Sequence, residues 1–220
     1  MVSWWTADGN ANDRTGTNDG TLIGSVGFFP GKVGRAFDFN GTTSYVEIPS
    51  SANLNPSGSF SLEGWIYPEK DTMAMILGKW GWYAAWENQR SYALDFVTGG
   101  NLIFGIANES LLWDLDFQDF RTTNGPVKLN IWSHIAIVYD QTAGSRRIYV
   151  NGSLNKERID PPITITASIA NLSIGAYYFA PGWTESYFKG KIDELSFYNR
   201  ALSGPEIKKI YVSGSSGKCR

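Results

Sequence analysis

Residues 34–49 read GRAFDFNGTTSYVEIP and consist of two short segments of alternating character joined by a turn. Phe37 and Phe39 fall on one side of an extended chain and Asp38 on the other, because successive side chains of a strand point to opposite faces. The NGTTS segment carries turn residues, and the apolar pattern resumes at Tyr45. This stretch predicts two β-strands, each with one buried face.

Similar alternation recurs along most of the chain, with turn residues about every 8–12 positions, the spacing expected of a sandwich or barrel. The TGGN segment at residues 98–101 predicts a hairpin, and Asn151-Gly152 predicts a further turn. A capping box formed by Ser203 and Glu206 predicts one helix near the C-terminus. Further strands or strand pairs are predicted within residues 58–68, 91–107, 131–154, 171–179 and 187–199.

The composition is that of a β-protein, because aromatic residues make up 15% of the 220 residues and there are 24 glycines. The net charge of −2 provides no attraction to nucleic acid or to anionic lipid. No apolar run approaches the length of a membrane span, and the first ten residues lack the features of a signal peptide. We predict a single all-β domain over residues 1–212 and a linker-like tail over residues 213–220, which holds the single cysteine, Cys219.

The following blocks of sequence run in order from Trp4 to Tyr211: WWTADGNANDRTGTNDGTL, PGKVGRAFDFNGTTSYVEIP, SFSLEGWIYP, ILGKW, WSHIAIVYD, IYVNG and GKIDELSFYNRALSGPEIKKIY. Together they resemble the laminin-G-like, concanavalin A-like jelly-roll domains of bacterial secreted proteins. The resemblance implies a two-sheet antiparallel β-sandwich with one concave sheet, whose face or rim loops hold ligands. It also implies a secreted or cell-surface location and other domains in a longer parent chain.

The loop at residues 8–19 is rich in side-chain oxygen atoms, which suit the roughly six to eight hard ligands of calcium. Its contributing residues are Asp8, Asn10, Asn12, Asp13, Asn18 and Asp19. The spacing does not continue as an EF-hand, and these residue types are also the ordinary residues of turns, so the loop alone leaves both interpretations open. The resemblance implies a structural calcium ion that joins this loop to the FNG turn and to the last strand. The implied ligands are Asp8, Asn12, Asp13, Gly41 and Asp193.

Carboxylate pairs provide little support for catalysis. Hydrolases on this sandwich carry E-x-D-x-x-E on one strand, and no such run occurs in the sequence. The neighbours Asp193 and Glu194 would point to opposite faces of a strand, so they could not flank one glycosidic bond. Asp114 and Asp116 would share a face, but a solvated edge or turn is the more typical setting for such a pair.

Other catalytic groups are equally incomplete. Tyr187 begins a YFKG block similar to one in alginate lyases of this fold, but the companion Arg-Glu-Arg and Gln-His blocks are absent. His134, the single histidine, lies in a predicted strand, where a packed or hydrogen-bonded role is expected. One histidine and one cysteine also exclude a His/Cys zinc site. We therefore predict that the domain is not an enzyme.

The segment KWGWYAAW at residues 79–86 holds three tryptophans, more than one strand of a small domain needs for its core. We expect the preceding strand to end near Trp80, which caps the core, and the chain to carry Trp82 and Trp86 to the rim of the concave face. Sugar rings stack on such side chains, although packing of the rim is the alternative. The predicted ligand-binding residues are Lys79, Trp82, Trp86, Glu87, Asn88, Arg90, Trp113 and Trp183.

Taken together, these features predict a non-catalytic carbohydrate-binding module that recognises a polysaccharide or glycan and carries a structural calcium. A protein-interaction or adhesion domain on the same sandwich is the first alternative. A polysaccharide lyase or glycoside hydrolase is the second.

Overall fold

The computed structural model describes residues 1–83, 87–107, 120–159, 162–180 and 183–218, and within these ranges it describes side chains except at 82–88 and 178–183. In chain order the strands are β1 (Ser3–Trp5), β2 (Thr21–Ile23), β3 (Gly27–Pro30), β4 (Arg35–Asn40), β5 (Tyr45–Ile48), β6 (Phe60–Pro68), β7 (Ala74–Tyr83), β8 (Glu87–Val97), β9 (Asn101–Ile106), β10 (Ser133–Asp140), β11 (Ser145–Val150), β12 (Ser153–Ile159), β13 (Leu172–Ile174), β14 (Tyr177–Ala180), β15 (Trp183–Glu185) and β16 (Lys189–Tyr198). The helices in these ranges are α1 (Gly204–Ser213) and two short 3₁₀ helices at Ala52–Leu54 and Gly214–Ser216.

These strands form two large antiparallel sheets. Sheet A has the order β12-β11-β10-β6-β16-β4-β3, and β1 pairs with β16. Sheet B has the order β2-β5-β13-β7-β8-β9. Strands β14 and β15 form a separate two-stranded hairpin. The arrangement confirms the predicted all-β, two-sheet antiparallel sandwich with one short C-terminal helix.

The core lies between the two sheets and consists of the apolar side chains that alternate inward from each strand. Phe60 of sheet A contacts Tyr92 and Phe104 of sheet B, with ring centroids 5.3 and 5.9 Å apart. Phe37 and Phe39, which share one face as predicted, are completely buried in the same core. Because burial of one such side chain contributes roughly 1.5–3 kcal/mol, this face strongly stabilises the contact between the sheets.

Two predicted turns occur at the expected residues. Gly99 and Gly100 connect β8 to β9 with φ angles of 84° and 73°. Asn151 and Gly152 connect β11 to β12 with φ angles of 51° and 72°. Such positive angles cost glycine little, and asparagine tolerates them better than most residues. Both turn predictions are therefore confirmed.

Helix α1 packs on the outer face of sheet A, the face turned away from the core. Glu206 N donates to Ser203 Oγ at 3.4 Å and Ser203 N donates to Glu206 Oε2 at 2.8 Å, which confirms the predicted capping box. Ile207 joins a buried cluster with residues of β10 and β11, and Tyr211 stacks on Trp65 with ring centroids 5.9 Å apart. None of the helices in the described part of the chain is long and apolar enough to cross a membrane.

The C-terminal tail packs against sheet A as far as Lys218, although a linker was predicted there. The ammonium group of Lys218 lies 2.8 Å from Oε1 of the buried Glu63. Glu63 also contacts Nε2 of His134 at 3.1 Å and accepts a hydrogen bond from the Tyr198 hydroxyl at 3.2 Å. The tail is thus attached to the sandwich by a buried ion pair. Cys219 lies outside the described residues.

Strand β7 is longer than predicted. It continues to Tyr83 and stays paired with β8, so the expected end near Trp80 is wrong. The pairing shifts after Lys79. Lys79 lies opposite Tyr92 and Trp80 lies opposite Arg90, so Ser91 of β8 has no residue opposite it and forms a bulge. A bulge interrupts the alternation of a strand, and β7 is buried on both faces from residue 74 to residue 81. Strand β7 therefore shows no contrast between a polar and an apolar face.

Candidate functional site

A small apolar cluster lies on the outer face of sheet B, opposite the core. We call it the outer cluster, and its members are Met75, Trp80, Ala93, Ala107 and Tyr177. Ala93 points to this face because its neighbours Tyr92 and Leu94 point into the core. Tyr177 comes from the β14–β15 hairpin and packs on sheet B from outside. Sheet B therefore carries a second buried cluster, with two aromatic residues, on the face opposite the core between the sheets.

Trp80 and Arg90 lie opposite each other at one end of the outer cluster. The guanidinium carbon of Arg90 is 5.3 Å from the centroid of the Trp80 ring, within the range of a cation–π contact. Both side chains are buried. The prediction that Trp80 is a packed residue is confirmed, but it packs in the outer cluster rather than at the edge of the central core. Contact of Arg90 with ligand, which was predicted, stays a prediction.

Asp95 and Tyr177 are the polar pair at the other end of the outer cluster. The Tyr177 hydroxyl donates to Asp95 Oδ2 at 2.6 Å, and both side chains are buried. The second oxygen of the carboxyl group, Oδ1, is buried without a hydrogen-bond partner. Burial raises the pKa of Asp95 to about 8, although the hydrogen bond from Tyr177 acts in the opposite direction. Neither residue was predicted as functional; the available signal was one acidic residue inside the apolar run YALDFV.

Lys79, predicted as a ligand contact, points into the protein and is completely buried. Its ammonium group donates to Ser50 Oγ and to the Ala170 carbonyl, both at 2.7 Å, and to the Ser168 carbonyl. Burial lowers the pKa of Lys79 to about 8. Because all three N–H donors are in use, Lys79 does not fit the predicted role. It instead ties the loop at residues 168–170 to β7.

Three further predicted ligand contacts, Trp82, Glu87 and Asn88, lie where β7 ends and β8 begins. Trp82 pairs with Asn88, and Glu87 pairs with Tyr83, so their backbones extend the sheet two and three residues beyond Trp80. Their side chains are among those not described. The backbone places them at the same end of sheet B as the Trp80–Arg90 pair, and their contact with ligand stays a prediction.

The remaining predicted tryptophans belong to other segments. Trp183 begins β15 and pairs with Ala180 in the β14–β15 hairpin; its side chain is not described. Trp86 and Trp113 lie outside the described residues, as do Asp114 and Asp116 of the catalytic alternative. Contact of these tryptophans with ligand stays a prediction.

The N-terminal loop uses Asp13 to hold its own backbone. Asp13 Oδ1 accepts hydrogen bonds from Trp4 N at 2.9 Å and from Thr15 N at 3.0 Å, and Oδ2 accepts one from Asn18 N at 3.3 Å. Burial opposes ionisation, but these hydrogen bonds outweigh it and lower the pKa of Asp13. The exposed Asn12 takes part in a local turn. These two residues match the turn interpretation of the loop rather than the set of calcium ligands.

Asp8 and Asp193 come together across the turn at residues 31–35. Asp8 Oδ1 accepts a hydrogen bond from Arg35 N at 2.9 Å, and Asp193 Oδ2 accepts one from Val33 N at 2.9 Å. Asp193 Oδ1 is buried without a hydrogen-bond partner, and burial raises the pKa of Asp193 to about 8. An orphaned carboxylate oxygen beside a second carboxylate fits a cation such as calcium.

Gly41 does not belong to this group. It follows Asn40, which pairs with Lys189, whereas Asp193 lies beyond Ile192 at the opposite end of the β4–β16 pairing. At about 3.4 Å per residue, five residues of strand separate the two positions by roughly 17 Å. Within the described residues no three His, Cys, Asp or Glu side chains are grouped to hold a metal. Only Asp8 and Asp193 of the predicted ligands therefore fit one site.

Groups considered for catalysis have structural partners. His134 is buried and bonded to Glu63, as predicted for a packed strand residue. Glu194 Oε2 accepts a hydrogen bond from Trp4 Nε1 at 3.1 Å. Tyr187 packs near Tyr45, with ring centroids 6.4 Å apart.

Comparison with known proteins agrees with the architecture. A family model described as the concanavalin A-like lectin/glucanases superfamily matches residues 40–208. Among curated proteins, the chain is similar to the N,N-dimethylformamidase beta subunit of Paracoccus aminophilus, with 24% identity over 190 residues that cover 76% of this chain and 24% of the relative. The chain thus spans about a quarter of that relative's length.

Several solved structures share the fold at low identity. Domain 4 of AbnA, a GH43 extracellular arabinanase from Geobacillus stearothermophilus solved with arabinotriose, has a TM-score of 0.69 and 21% identity, covering 94% of this chain and 96% of that one. The binding domain of Paraclostridial Mosquitocidal Protein 1 has a TM-score of 0.71 and 16% identity, with coverage of 96% and 51%. The binding domain of botulinum neurotoxin DC, solved with SialylT, has a TM-score of 0.66 and 15% identity, with coverage of 97% and 51%.

Proposed function

Because the chain belongs to the concanavalin A-like lectin/glucanases superfamily, we propose that it is a non-catalytic carbohydrate-binding domain that holds a polysaccharide or glycan on the outer face of sheet B. The outer cluster carries this proposal. This buried cluster, with the Trp80–Arg90 pair at one end and the Asp95–Tyr177 pair at the other, packs the outer face of sheet B beside the end of β7, where Trp82 lies. The likeness to an arabinanase domain solved with arabinotriose supports the same ligand class.

The predicted tryptophans extend this surface in the proposal. Trp82 continues β7 beyond the outer cluster, and Trp183 begins the hairpin strand that lies beside Tyr177. We assign Trp82, Trp86, Trp113 and Trp183 to stacking against sugar rings, with Glu87 and Asn88 as hydrogen-bonding neighbours. Arg90 adds a cation to the same end of the sheet, whereas Lys79 is left out because its donors are in use.

Calcium has a structural role in the proposal. Asp8 and Asp193 would hold the ion beside the turn at residues 31–35, because the orphaned Asp193 oxygen needs a positive partner. The ion would tie the N-terminal loop to β16 without taking part in ligand contact. Asn12, Asp13 and Gly41 are not part of this reduced ligand set.

The setting of the domain is a further part of the proposal. We infer that it is one module of a longer secreted or cell-surface protein. The match to only a quarter of a curated relative and the likeness to one domain of an extracellular enzyme support this.

Binding to immobilised and soluble glycans tests the proposal. The protein should bind at least one member of a panel of insoluble polysaccharides and soluble oligosaccharides that includes arabinotriose, and it should release neither reducing ends nor unsaturated products. Trp82→Ala or Trp86→Ala should weaken binding roughly twofold to tenfold, because aromatic stacking contributes about 0.5–1.5 kcal/mol beyond burial. The matched control is Phe29→Ala, which removes an exposed aromatic residue from sheet A.

The outcomes separate the alternatives. Binding that Trp82→Ala and Phe29→Ala weaken equally would place the site elsewhere. Binding to no glycan, together with capture of a protein partner through the same face, would support the adhesion alternative. Reproducible turnover of a polysaccharide would show that the domain is an enzyme.

A further inference from the structure

A pocket of about 500 Å³ lies at one end of the sandwich, between the loop that joins β5 to β6 and the loop that joins β16 to α1. This volume falls within the roughly 300–1,000 Å³ typical of small-molecule sites. Strand β5 belongs to sheet B and β6 to sheet A, so the pocket lies where the chain crosses from one sheet to the other. None of its lining residues belongs to the outer cluster. The pocket is therefore a second concave surface, separate from the outer face of sheet B.

Both walls of the pocket are attached to buried residues of the strands. On one wall, the hydroxyl group of Tyr92 donates a hydrogen bond to the Leu54 carbonyl at 3.0 Å. On the other wall, Ser61 Oγ donates to the Arg200 carbonyl and accepts from Leu202 N, both at 2.9 Å. Tyr92 and Ser61 are completely buried. Because these bonds hold the backbone of both loops, the pocket is formed before a ligand arrives, which lowers the ordering cost of binding.

The asparagine side chains of the pocket have hydrogen-bonding groups to spare. Asn53 Oδ1 accepts a hydrogen bond from Ser51 Oγ at 2.6 Å, and Asn55 Oδ1 accepts one from Ser168 N at 3.1 Å. Neither Nδ2 atom has a partner in the part of the chain that the structure describes, and the amide of Asn199 has none there either. Each amide nitrogen carries two N–H donors. Three amide groups are therefore available to a ligand.

The charge at the pocket is balanced. Among the described residues that line it, Arg200 is the one with a charged side chain. Its Nη2 donates to Glu206 Oε1 at 2.7 Å and its Nη1 donates to Glu206 Oε2 at 3.1 Å. A negatively charged ligand beside Arg200 would therefore also meet the carboxylate of Glu206. This pairing favours an uncharged ligand.

The rest of the lining includes apolar side chains of modest size, namely Val2, Ala52, Pro56 and Ala201. None of the described lining residues is aromatic, so the pocket has no platform on which several sugar rings could stack in a row. Its ligand should instead be a single ring, with C–H groups against the apolar residues and hydroxyl groups facing the amides.

We propose that this pocket is a second glycan-binding site, which holds one uncharged sugar unit at the end or at a branch of a chain. Asn53, Asn55 and Asn199 donate hydrogen bonds to the hydroxyl oxygens of that unit. The inference goes beyond the proposed function, because it needs neither the outer face of sheet B nor its tryptophans. Two sites on one domain would also raise its avidity for a polysaccharide that reaches both.

The side-chain amide signals of asparagine in ¹⁵N–¹H NMR spectra test the proposal directly. The probes are arabinotriose, cellotriose and mannotriose, with trigalacturonic acid as the charged comparison. At least one uncharged trisaccharide should shift the Nδ2 signals of Asn53 and Asn199 with a saturable dependence on its concentration. The same shifts should occur in Trp82→Ala, because the pocket does not depend on Trp82.

A double variant measures the contribution of the amides. Asn53 and Asn199 are exposed, so Asn53→Ala/Asn199→Ala should keep its Tm within about 4 °C of the wild type. It removes two of the three amide groups, so the affinity followed by the backbone amide signal of Gly58, which lines the pocket, should fall at least about fivefold. The matched control is Asn12→Ala, which removes an exposed asparagine outside the pocket and should change neither property.

Four results would overturn the assignment. The first is that no uncharged trisaccharide moves the Asn53 and Asn199 signals, and the second is an unchanged affinity in the folded double variant. The third is tighter binding of trigalacturonic acid than of the uncharged sugars at these signals. The fourth is loss of the shifts in Trp82→Ala, which would show that the pocket is not an independent site.

Failure of the proposed function has a different signature. If the outer face of sheet B is not a glycan site, Trp82→Ala and Trp86→Ala leave all glycan binding unchanged, while the pocket signals still respond and the double variant removes the response. If the pocket alone is wrongly assigned, Trp82→Ala weakens glycan binding while the Asn53 and Asn199 signals stay unmoved.

Discussion

Lys218→Met should lower the free energy of unfolding by about 3–5 kcal/mol, the cost expected when one partner of a buried ion pair is removed. The side chain of Glu63 is 0% exposed, and the ammonium group of Lys218 lies 2.8 Å from its Oε1. Methionine preserves most of the apolar stem of the lysine but removes the ammonium group, which also lies 5.6 Å from the centroid of the Trp4 ring. It leaves the Glu63 carboxylate with His134 and the Tyr198 hydroxyl as partners.

The pH dependence of stability should change with it. Burial alone raises the pKa of Glu63, but Lys218 and His134 outweigh burial and lower it from 4.5 to about 2. A carboxyl group with a lowered pKa in the folded state stabilises the fold above its unfolded pKa, and this stabilisation is lost as the pH falls from about 4.5 towards 2. In Lys218→Met the pKa of Glu63 should rise, so this acid-dependent loss should become smaller.

Thermal unfolding followed by circular dichroism at pH 7 and pH 3 measures both effects. At about 2–4 °C per kcal/mol for a domain of this size, the Tm at pH 7 should fall by about 6–20 °C. The double variant Glu63→Gln/Lys218→Met should recover most of the loss, because no unpaired charge stays buried. A Tm for Lys218→Met within about 2 °C of the wild type refutes the reasoning, since this corresponds to about 1 kcal/mol or less. So does a double variant as unstable as the single one.

Two further predictions concern the metal and the aromatic surface. A chelator should lower the Tm, because an ion that binds only the folded state stabilises it by about 2.7 kcal/mol at a hundredfold excess over Kd. Asp193→Ala should abolish this sensitivity to chelator. An unchanged melting curve in chelator, with no metal found by elemental analysis, contradicts the calcium proposal. Trp80→Ala should cost about 3–5 kcal/mol of stability, as truncation of a buried aromatic residue does, whereas Trp82→Ala should leave the chemical denaturation midpoint nearly unchanged. Equal destabilisation by both variants would show that Trp82 is also a packing residue.

Local patterns of the sequence predicted most of the fold. The alternation of Phe37, Asp38 and Phe39, the Asn151-Gly152 turn and the Ser203 capping box each depend on residues within a few positions of one another. Their outcome is decided by backbone geometry and by the period of two along a strand. The family resemblance supplied what local patterns cannot, namely that the strands pair into two sheets.

The site was harder to predict because its partners are distant in sequence. Asp95 meets Tyr177 across 82 residues, and Lys79 meets Ala170 across 91. A lysine is rarely fully buried, so the burial of Lys79 within β7 could not be predicted from its neighbours in the sequence. Gly41 shows the same limit for the metal, because the register that places it far from Asp193 is a property of the folded sheet.

The bulge between Lys79 and Trp80 acts as a phase shift along β8. On the C-terminal side of the bulge, the alternate residues Tyr92, Leu94 and Phe96 point into the core. On its N-terminal side, Arg90 faces outward beside Trp80. In a strand without the bulge, Arg90 would point into the core like Tyr92 and Leu94; the extra residue, Ser91, allows Arg90 to lie opposite Trp80 on the outer face while the core half of the strand keeps its register. The bulge thus determines which side chains the N-terminal end of β8 presents on the outer face, without any change in the rest of the sandwich.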